Sequence, residues 1–197
     1  MTPRGPGQGP FAPAVPVVSV LVPEHEDPEL VRCGAAFATG LTVPAEPDVV
    51  SGAEPVIARG PRRVRAAVAA SDLLVVAVRA GEPVRATRTA QVPPALRRML
   101  DACGPLDGRV VFALVLGGWP TEAGQAPERL VAELHRRGAT CLAPALHLAA
   151  GAVARFGPAP QVPGDTGAAI SAYCRFWRPV VPSLIDLARR DQIPAAG

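Results

Sequence analysis

The residues best suited to acid–base chemistry are one histidine flanked by carboxylates and two glutamates that follow apolar runs. His25 lies between Glu24 and Glu26, directly after the first apolar run. Neighbouring carboxylates raise the pKa of a histidine, so His25 fits a general base or a proton donor. Glu82 and Glu122 follow two later apolar runs and can join it in an acid–base cluster. The competing interpretation is a solvent-exposed loop histidine, and nothing in the spacing specifies a metal.

Three arginines crowd the loop predicted after the third apolar run: Arg79, Arg85 and Arg88. A planar guanidinium binds phosphate or carboxylate through two parallel hydrogen bonds. These side chains therefore fit a ligand phosphate, the 2′-phosphate of NADPH or an acidic substrate. The alternative is a solvated loop.

A Gly-Gly-Trp turn follows the fourth apolar run. Trp119 comes directly after Gly117 and Gly118. It can stack on a flat ring such as a flavin or an aromatic substrate, or it can cover the domain edge or a dimer contact. His147, at the end of the fifth predicted strand, either joins this cluster or makes an ordinary local hydrogen bond.

The composition excludes several kinds of chemistry. All 20 basic residues are arginine, because the sequence contains no lysine. A Schiff-base lysine, covalently held pyridoxal phosphate and a Walker-type phosphate loop are therefore ruled out. The arginine pairs fall on predicted helices as solvated faces, without interleaved aromatic residues, so we expect no nucleic-acid partner. No apolar run is long enough for a membrane span.

The four cysteines are far apart and form no Cys-x-x-Cys pair. This spacing favours neither a zinc site nor a disulfide framework. It is typical of buried thiols in a reducing compartment, which predicts a cytoplasmic protein. The partner that we expect is a small-molecule substrate.

Apolar periodicity predicts the elements that must position these side chains. Strands are predicted within residues 15–22, 43–60, 73–78, 110–116 and 140–148. Helices are predicted at residues 27–39, 61–70, 93–102, 121–137 and 165–190. The strands are apolar on both faces and alternate with helices, which indicates an α/β fold: a three-layer, doubly wound, five-stranded parallel sheet of flavodoxin type.

Glycine and proline set the predicted boundaries. Gly40 and Gly138 should end the first and fourth helices, and Pro144 should interrupt the fifth strand. The last helix should bend or restart at Pro179 and Pro182. Residues 1–14, rich in Pro and Gly, read as a disordered arm, and residues 15–192 as a single domain.

Residues 15–190 resemble the NAD(P)H-dependent FMN reductases of flavodoxin-like fold. The likeness is carried by Val92-Pro93-Pro94-Ala95-Leu96-Arg97-Arg98-Met99-Leu100-Asp101, by Asp107-Gly108-Arg109-Val110-Val111 and by the Gly117-Gly118 turn. The resemblance implies an FMN at the carboxyl ends of the strands, a hydride from NAD(P)H, and a homodimer or tetramer. It implies that the FMN phosphate lies in the loop after the first strand and the ring against the loops after the third and fourth.

The loop after the first strand departs from that family. It contains no Ser, Thr or Gly and carries Glu24, Glu26 and Asp27. Two like charges about 4 Å apart repel by ~1 kcal/mol in bulk water and by ~4 kcal/mol at an effective dielectric near ~20. Micromolar binding supplies only ~8 kcal/mol in total, so three carboxylates facing a phosphate would weaken FMN binding severely.

Three functions therefore stay open at this point. One is a flavin-binding, NAD(P)H-dependent oxidoreductase of bacterial specialised metabolism. The second is a flavin-independent member of the fold, either a biosynthetic tailoring enzyme that uses acid–base chemistry or a small-molecule-binding accessory protein. The third is a catalytically silent partner that pairs through its last helix.

Overall fold

A computed structural model describes residues 16–23, 28–42, 55–80, 94–117, 126–148 and 164–191. The strands are β1 (Val18–Leu21), β2 (Val56–Ala58), β3 (Leu73–Arg79), β4 (Val110–Leu116) and β5 (Leu146–Leu148). The helices are α1 (Pro28–Thr42), α2 (Pro61–Ala70), α3 (Pro94–Cys103), α4 (Ala126–Arg136), α5 (Gly164–Trp177) and α6 (Val181–Asp191). The predicted arm at residues 1–14 lies outside the described residues.

The five strands form one parallel sheet in the order β2-β1-β3-β4-β5. The predicted α/β fold with a doubly wound parallel sheet is therefore confirmed. From β1 the chain first steps outward to β2 and then returns to β3 on the other side. This reversal places the topological switch point between β1 and β3, where such sheets open a crevice at their carboxyl edge.

Two apolar cores lie on opposite faces of the sheet. Along β3, Leu73, Val75 and Ala77 belong to the core that contains residues of α1, α5 and α6. Their neighbours Leu74 and Val76 belong to the core shared with α2, α3 and α4. Because strand side chains alternate between faces, both sets must be apolar. The strands leave little room for chemistry except at their ends.

Aromatic rings fill the space between α1, β4 and α5. Phe37 meets Tyr173 edge-to-face at a centroid distance of 5.2 Å, and Phe112 meets Trp177 at 6.1 Å. Such edge-to-face pairs add stability beyond the area they bury. Tyr173 and Trp177 are therefore packing residues, whereas Phe176 is 72% exposed.

The prediction that Gly40 ends the first helix is wrong. Helix α1 continues to Thr42, and Gly40 lies against α5. A Cβ built on Gly40 would stand 2.7 Å from the Cys174 Sγ, and Arg178 Nε donates to the Gly40 carbonyl oxygen at 2.8 Å. The glycine is needed for the close approach of two helices, which a local sequence pattern does not reveal.

The predictions for Gly138 and for the last helix are confirmed, and the fifth strand is shorter than predicted. The predicted start of the fourth helix, at residues 121–125, lies outside the described residues. Gly138 has a φ of 85° just after α4, and the last helical segment breaks at residues 178–180. Thr140 makes only an isolated bridge to Val110, and the ladder of β5 begins at Leu146. Pro144 accounts for the gap, because proline cannot donate to a ladder.

All four cysteines are buried free thiols, as predicted. Burial raises the pKa of the Cys141 thiol to about 12, and the pKa values of Cys103 and Cys174 to about 11. Among the described residues no helix is long and apolar enough to cross a membrane. No three His, Cys, Asp or Glu side chains in the described part of the chain come together as metal ligands would.

We expect Gly40→Ala to lower the free energy of unfolding by about 1–3 kcal/mol, because the new methyl group overpacks against Cys174. Urea denaturation measures the change. In a Cys174→Ala background the sulfur that the new methyl group would meet is gone, and alanine at position 40 has a higher helix propensity than glycine. There, Gly40→Ala should lower the free energy of unfolding by less than about 1 kcal/mol. Equal costs in both backgrounds would contradict this account of the helix contact.

The buried thiols should make the protein less stable at alkaline pH. In the unfolded chain a thiol ionises near its ordinary pKa of 9.0, whereas Cys141 in the folded protein keeps its proton to about 12. The unfolded state therefore loses protons first, and the free energy of unfolding falls as the pH rises above about 9. Urea denaturation near neutral pH and at about pH 10 measures the fall, which Cys141→Ala should reduce. Rapid alkylation of the native thiols near neutral pH would contradict it.

Candidate functional site

The carboxyl ends of β1, β3, β4 and β5 meet at one edge of the sheet, and α1 begins there. The chain leaves this edge into the segments that carry the predicted site residues. Seven of those residues lie outside the described part of the chain, and their roles stay predictions: His25, Glu82, Arg85, Arg88, Gly118, Trp119 and Glu122. Arg79 and Gly117 are described, and the structure brings them together.

Arg79 is the last residue of β3, and it extends sideways to the first turn of α1. Its Nη2 forms a hydrogen-bonded ion pair with the Glu29 carboxylate. The Arg79 side chain is 43% exposed and that of Glu29 23%. The pair therefore contributes little to stability, about 0–1 kcal/mol. The pair matters because of where it lies, at the carboxyl edge of the sheet beside the switch point between β1 and β3.

Glu29 is the site residue that the sequence analysis missed. A carboxylate in the first turn of a helix is stabilised by the positive end of the helix dipole, so Glu29 reads locally as an ordinary helix-start residue. The signal that could have identified it is topological. A parallel strand pair β1–β3 brings the end of β3 beside the helix that follows β1, so an arginine at one and a glutamate at the other can meet.

Gly117 forms a rigid turn at the end of β4. Its φ is 87°. Its N–H donates to the Leu148 carbonyl oxygen at 2.7 Å, and its own carbonyl oxygen lies 2.8 Å from His147 Nε2. A carbonyl oxygen can only accept, so His147 donates and must carry its proton on Nε2. His147 thus has the local hydrogen-bonding role that was one of its two interpretations.

Gly117 also lies against the arginine. A Cβ built on it would be 3.8 Å from Arg79 Cγ and 3.7 Å from both Arg79 Nη1 and the Ala80 carbonyl oxygen. Ala80 in turn donates its N–H to the Leu116 carbonyl oxygen at 2.8 Å. At this edge the buried Gly117 turn therefore lies against Arg79, and Arg79 is paired with Glu29.

Neither a protein-family model nor a curated protein matches this chain. Solved structures do match it. An oxidoreductase from Corynebacterium diphtheriae is 12% identical with a TM-score of 0.56, covering 88% of this chain and 99% of that one. A flavodoxin from Streptococcus pneumoniae TIGR4 is 10% identical with a TM-score of 0.53, covering 83% and 99%.

A third solved structure is a short-chain flavodoxin associated with a PDU bacterial microcompartment. It is 13% identical with a TM-score of 0.52, covering 84% of this chain and 99% of that one. The chain has a flavodoxin-like fold. At identities this low the likeness concerns the fold alone.

Alanine substitutions at three glycines with positive φ distinguish two causes of lost stability, an unfavourable backbone conformation and a steric clash. Gly104→Ala and Gly117→Ala, at φ values of 69° and 87°, meet no atom closer than ordinary contact. Each substitution should lower the free energy of unfolding by about 1–2 kcal/mol, because alanine is strained in the left-handed backbone conformation. Gly138→Ala should lower it more, because its Cβ would stand 2.0 Å from Asp107 Oδ1. Urea denaturation of the three variants measures this, and equal losses would contradict the steric part.

Proposed function

We propose that this chain is a flavin-binding oxidoreductase that holds FMN at the carboxyl edge of the sheet and reduces it with NAD(P)H. The observation that carries the proposal is the Arg79 guanidinium, held across the switch point between β1 and β3. Two further observations support it. Solved flavodoxins share the fold, and Gly117, in the turn after β4, lies against the arginine.

The described residues fit an FMN phosphate with one conflict. The start of α1 offers the positive end of a helix dipole, and Arg79 offers a cation. Glu29 opposes binding, because its carboxylate already occupies the guanidinium. Arg79 would hold the phosphate only by sharing or leaving Glu29. When bound, FMN would supply the hydride chemistry, while this chain's residues orient it and neutralise its charge.

Glu29 and Arg79 therefore make a matched pair of variants. We expect Arg79→Gln to weaken FMN binding by about tenfold, because a charge-assisted hydrogen bond is lost. We expect Glu29→Gln to tighten FMN binding several-fold, because a competing carboxylate becomes neutral. The measurement is a titration followed by flavin absorbance and fluorescence, with retention of the flavin bands after desalting.

Riboflavin is the control ligand, because it has the ring of FMN without the phosphate. Neither substitution should change its affinity by more than about twofold, within the usual uncertainty of a neutral surface change. If the wild-type protein and Glu29→Gln both fail to bind FMN, the flavin proposal is wrong. If FMN binds, NADH and NADPH oxidation with FMN distinguishes a reductase from an electron carrier.

One observation favours a second function, in which the same edge works without flavin. Glu29 adds a described carboxylate to an edge whose adjoining loop already carries Glu24, Glu26 and Asp27. A cluster of this kind suits general acid–base chemistry on a small organic substrate, or simple binding of one. His25→Ala and Glu122→Ala variants test it, since loss of turnover without loss of stability supports the acid–base form.

The remaining parts of the proposal follow from the family resemblance and the composition. They are a homodimer or a larger homo-oligomer, a cytoplasmic location, and a place in bacterial specialised metabolism. Phe176, which is 72% exposed on α5, supports an interface between copies. Analytical ultracentrifugation of the wild type and of Phe176→Ser tests the oligomer, because removing an interface aromatic should shift the equilibrium to monomer.

A further inference from the structure

Helices α2 and α3 form a surface of concentrated positive charge. The two helices pack side by side on one face of the sheet. Together they carry five arginines and a single acidic residue, Asp101, a net charge of +4. The entire chain carries only +3. We call this the α2–α3 surface; its exposed arginines are Arg62, Arg63, Arg65, Arg97 and Arg98.

The other described helices are balanced by comparison. The helices on the opposite face, α1, α5 and α6, carry four arginines and four acidic residues. Helix α4 carries two of each. The charge on the α2–α3 surface is therefore local and does not follow from an overall excess of arginine. The one acid there, Asp101, is already paired with Arg137 at 2.8 Å.

Two of these arginines also stand at the unfavourable end of their helix. Both helices lack an acidic residue in the first turn, and Arg62 and Arg63 lie in the first turn of α2. A helix start carries a partial positive charge that favours acids and disfavours arginine by about 0.3–1 kcal/mol per residue. This placement is not explained by helix stability. It adds two helix dipoles to the arginine charges, which makes the surface more attractive to anions.

Both helix starts face the carboxyl edge of the sheet. Arg98 and Met99 of α3 line a small hollow together with Gly60 and Pro61 of α2 and Val22 at the end of β1. Arg98 is thus close to the end of β1 at this edge, and Arg62 and Arg63 lie in the first turn of the helix that begins there. A partner attracted by them would be brought to the mouth of the candidate site.

We propose that the α2–α3 surface docks an acidic protein. Neither helix contains an aromatic, hydroxyl or amide side chain, so nothing there can stack on bases or read their edges apart from the arginines. Exposed Ala66, Ala69 and Ala70 leave a flat patch without large apolar groups that would insert into a bilayer. Arginine pairs with carboxylates in two-point contacts, and two helices of ~15 Å length make a surface of the size of a transient encounter.

This inference does not depend on flavin binding. The probe is a fluorescently labelled oligoglutamate peptide, whose anisotropy is followed with the full-length protein at low and at physiological ionic strength. The variant Arg63→Gln with Arg97→Gln removes two charges from the α2–α3 surface. The control Arg175→Gln with Arg190→Gln removes two exposed arginines from α5 and α6.

We expect the surface variant to bind oligoglutamate about tenfold more weakly at low salt, and the control to stay within about twofold. The surface variant should melt at the same temperature or higher, because the helix starts lose unfavourable charges. Equal weakening in both variants would overturn the proposal. So would tighter binding of duplex DNA or of phosphatidylglycerol vesicles with the same variant sensitivity, since the partner would then be a nucleic acid or a membrane.

Discussion

The fold depends on burying a parallel sheet on both faces at once. Each central strand must supply apolar side chains to two separate cores, and β4 is buried along its whole length, from Val110 to Leu116. A polar group that enters these cores without a partner costs about 1–3 kcal/mol. The buried hydroxyls of Ser19 and Ser71 avoid this cost by hydrogen bonding to each other at 2.6 Å. Among the described residues, charged side chains are therefore confined to the strand ends, the loops and the outer helix faces, whereas the four cysteine thiols are buried.

At the carboxyl edge the same constraint concentrates opposite charges in a small space. Arg79 stands at the first exposed position after six buried residues of β3, and Glu29 stands at the start of the helix packed beside that strand. Each charge has a local reason to be there, and together they neutralise one another. A flavin phosphate and Glu29 would compete for one guanidinium, so the partner that Arg79 keeps distinguishes the two proposed functions more directly than the fold does.

The sequence predicts the layers well because periodicity records which side chains are buried. β4 and α2 have the predicted limits, since apolar runs and a first-turn proline define them locally. Gly40 is predicted wrongly and Glu29 is missed for one common reason. Each depends on a residue far away in the chain, Cys174 and Arg79 respectively, and single-sequence patterns carry no information about such pairs.

The surface formed by the arginines of α2 and α3 could not be predicted from the sequence either, because it depends on how two helices pack. Considered one helix at a time, Arg62-Arg63 and Arg97-Arg98 are ordinary solvated pairs. Only the packing of α2 against α3 joins them into one surface whose charge exceeds that of the whole chain. The position of Arg62 and Arg63 in the first turn of α2 then indicates a function, because helix stability does not explain arginines at that end of a helix. An electrostatic partner explains that position, and it requires no change in the fold.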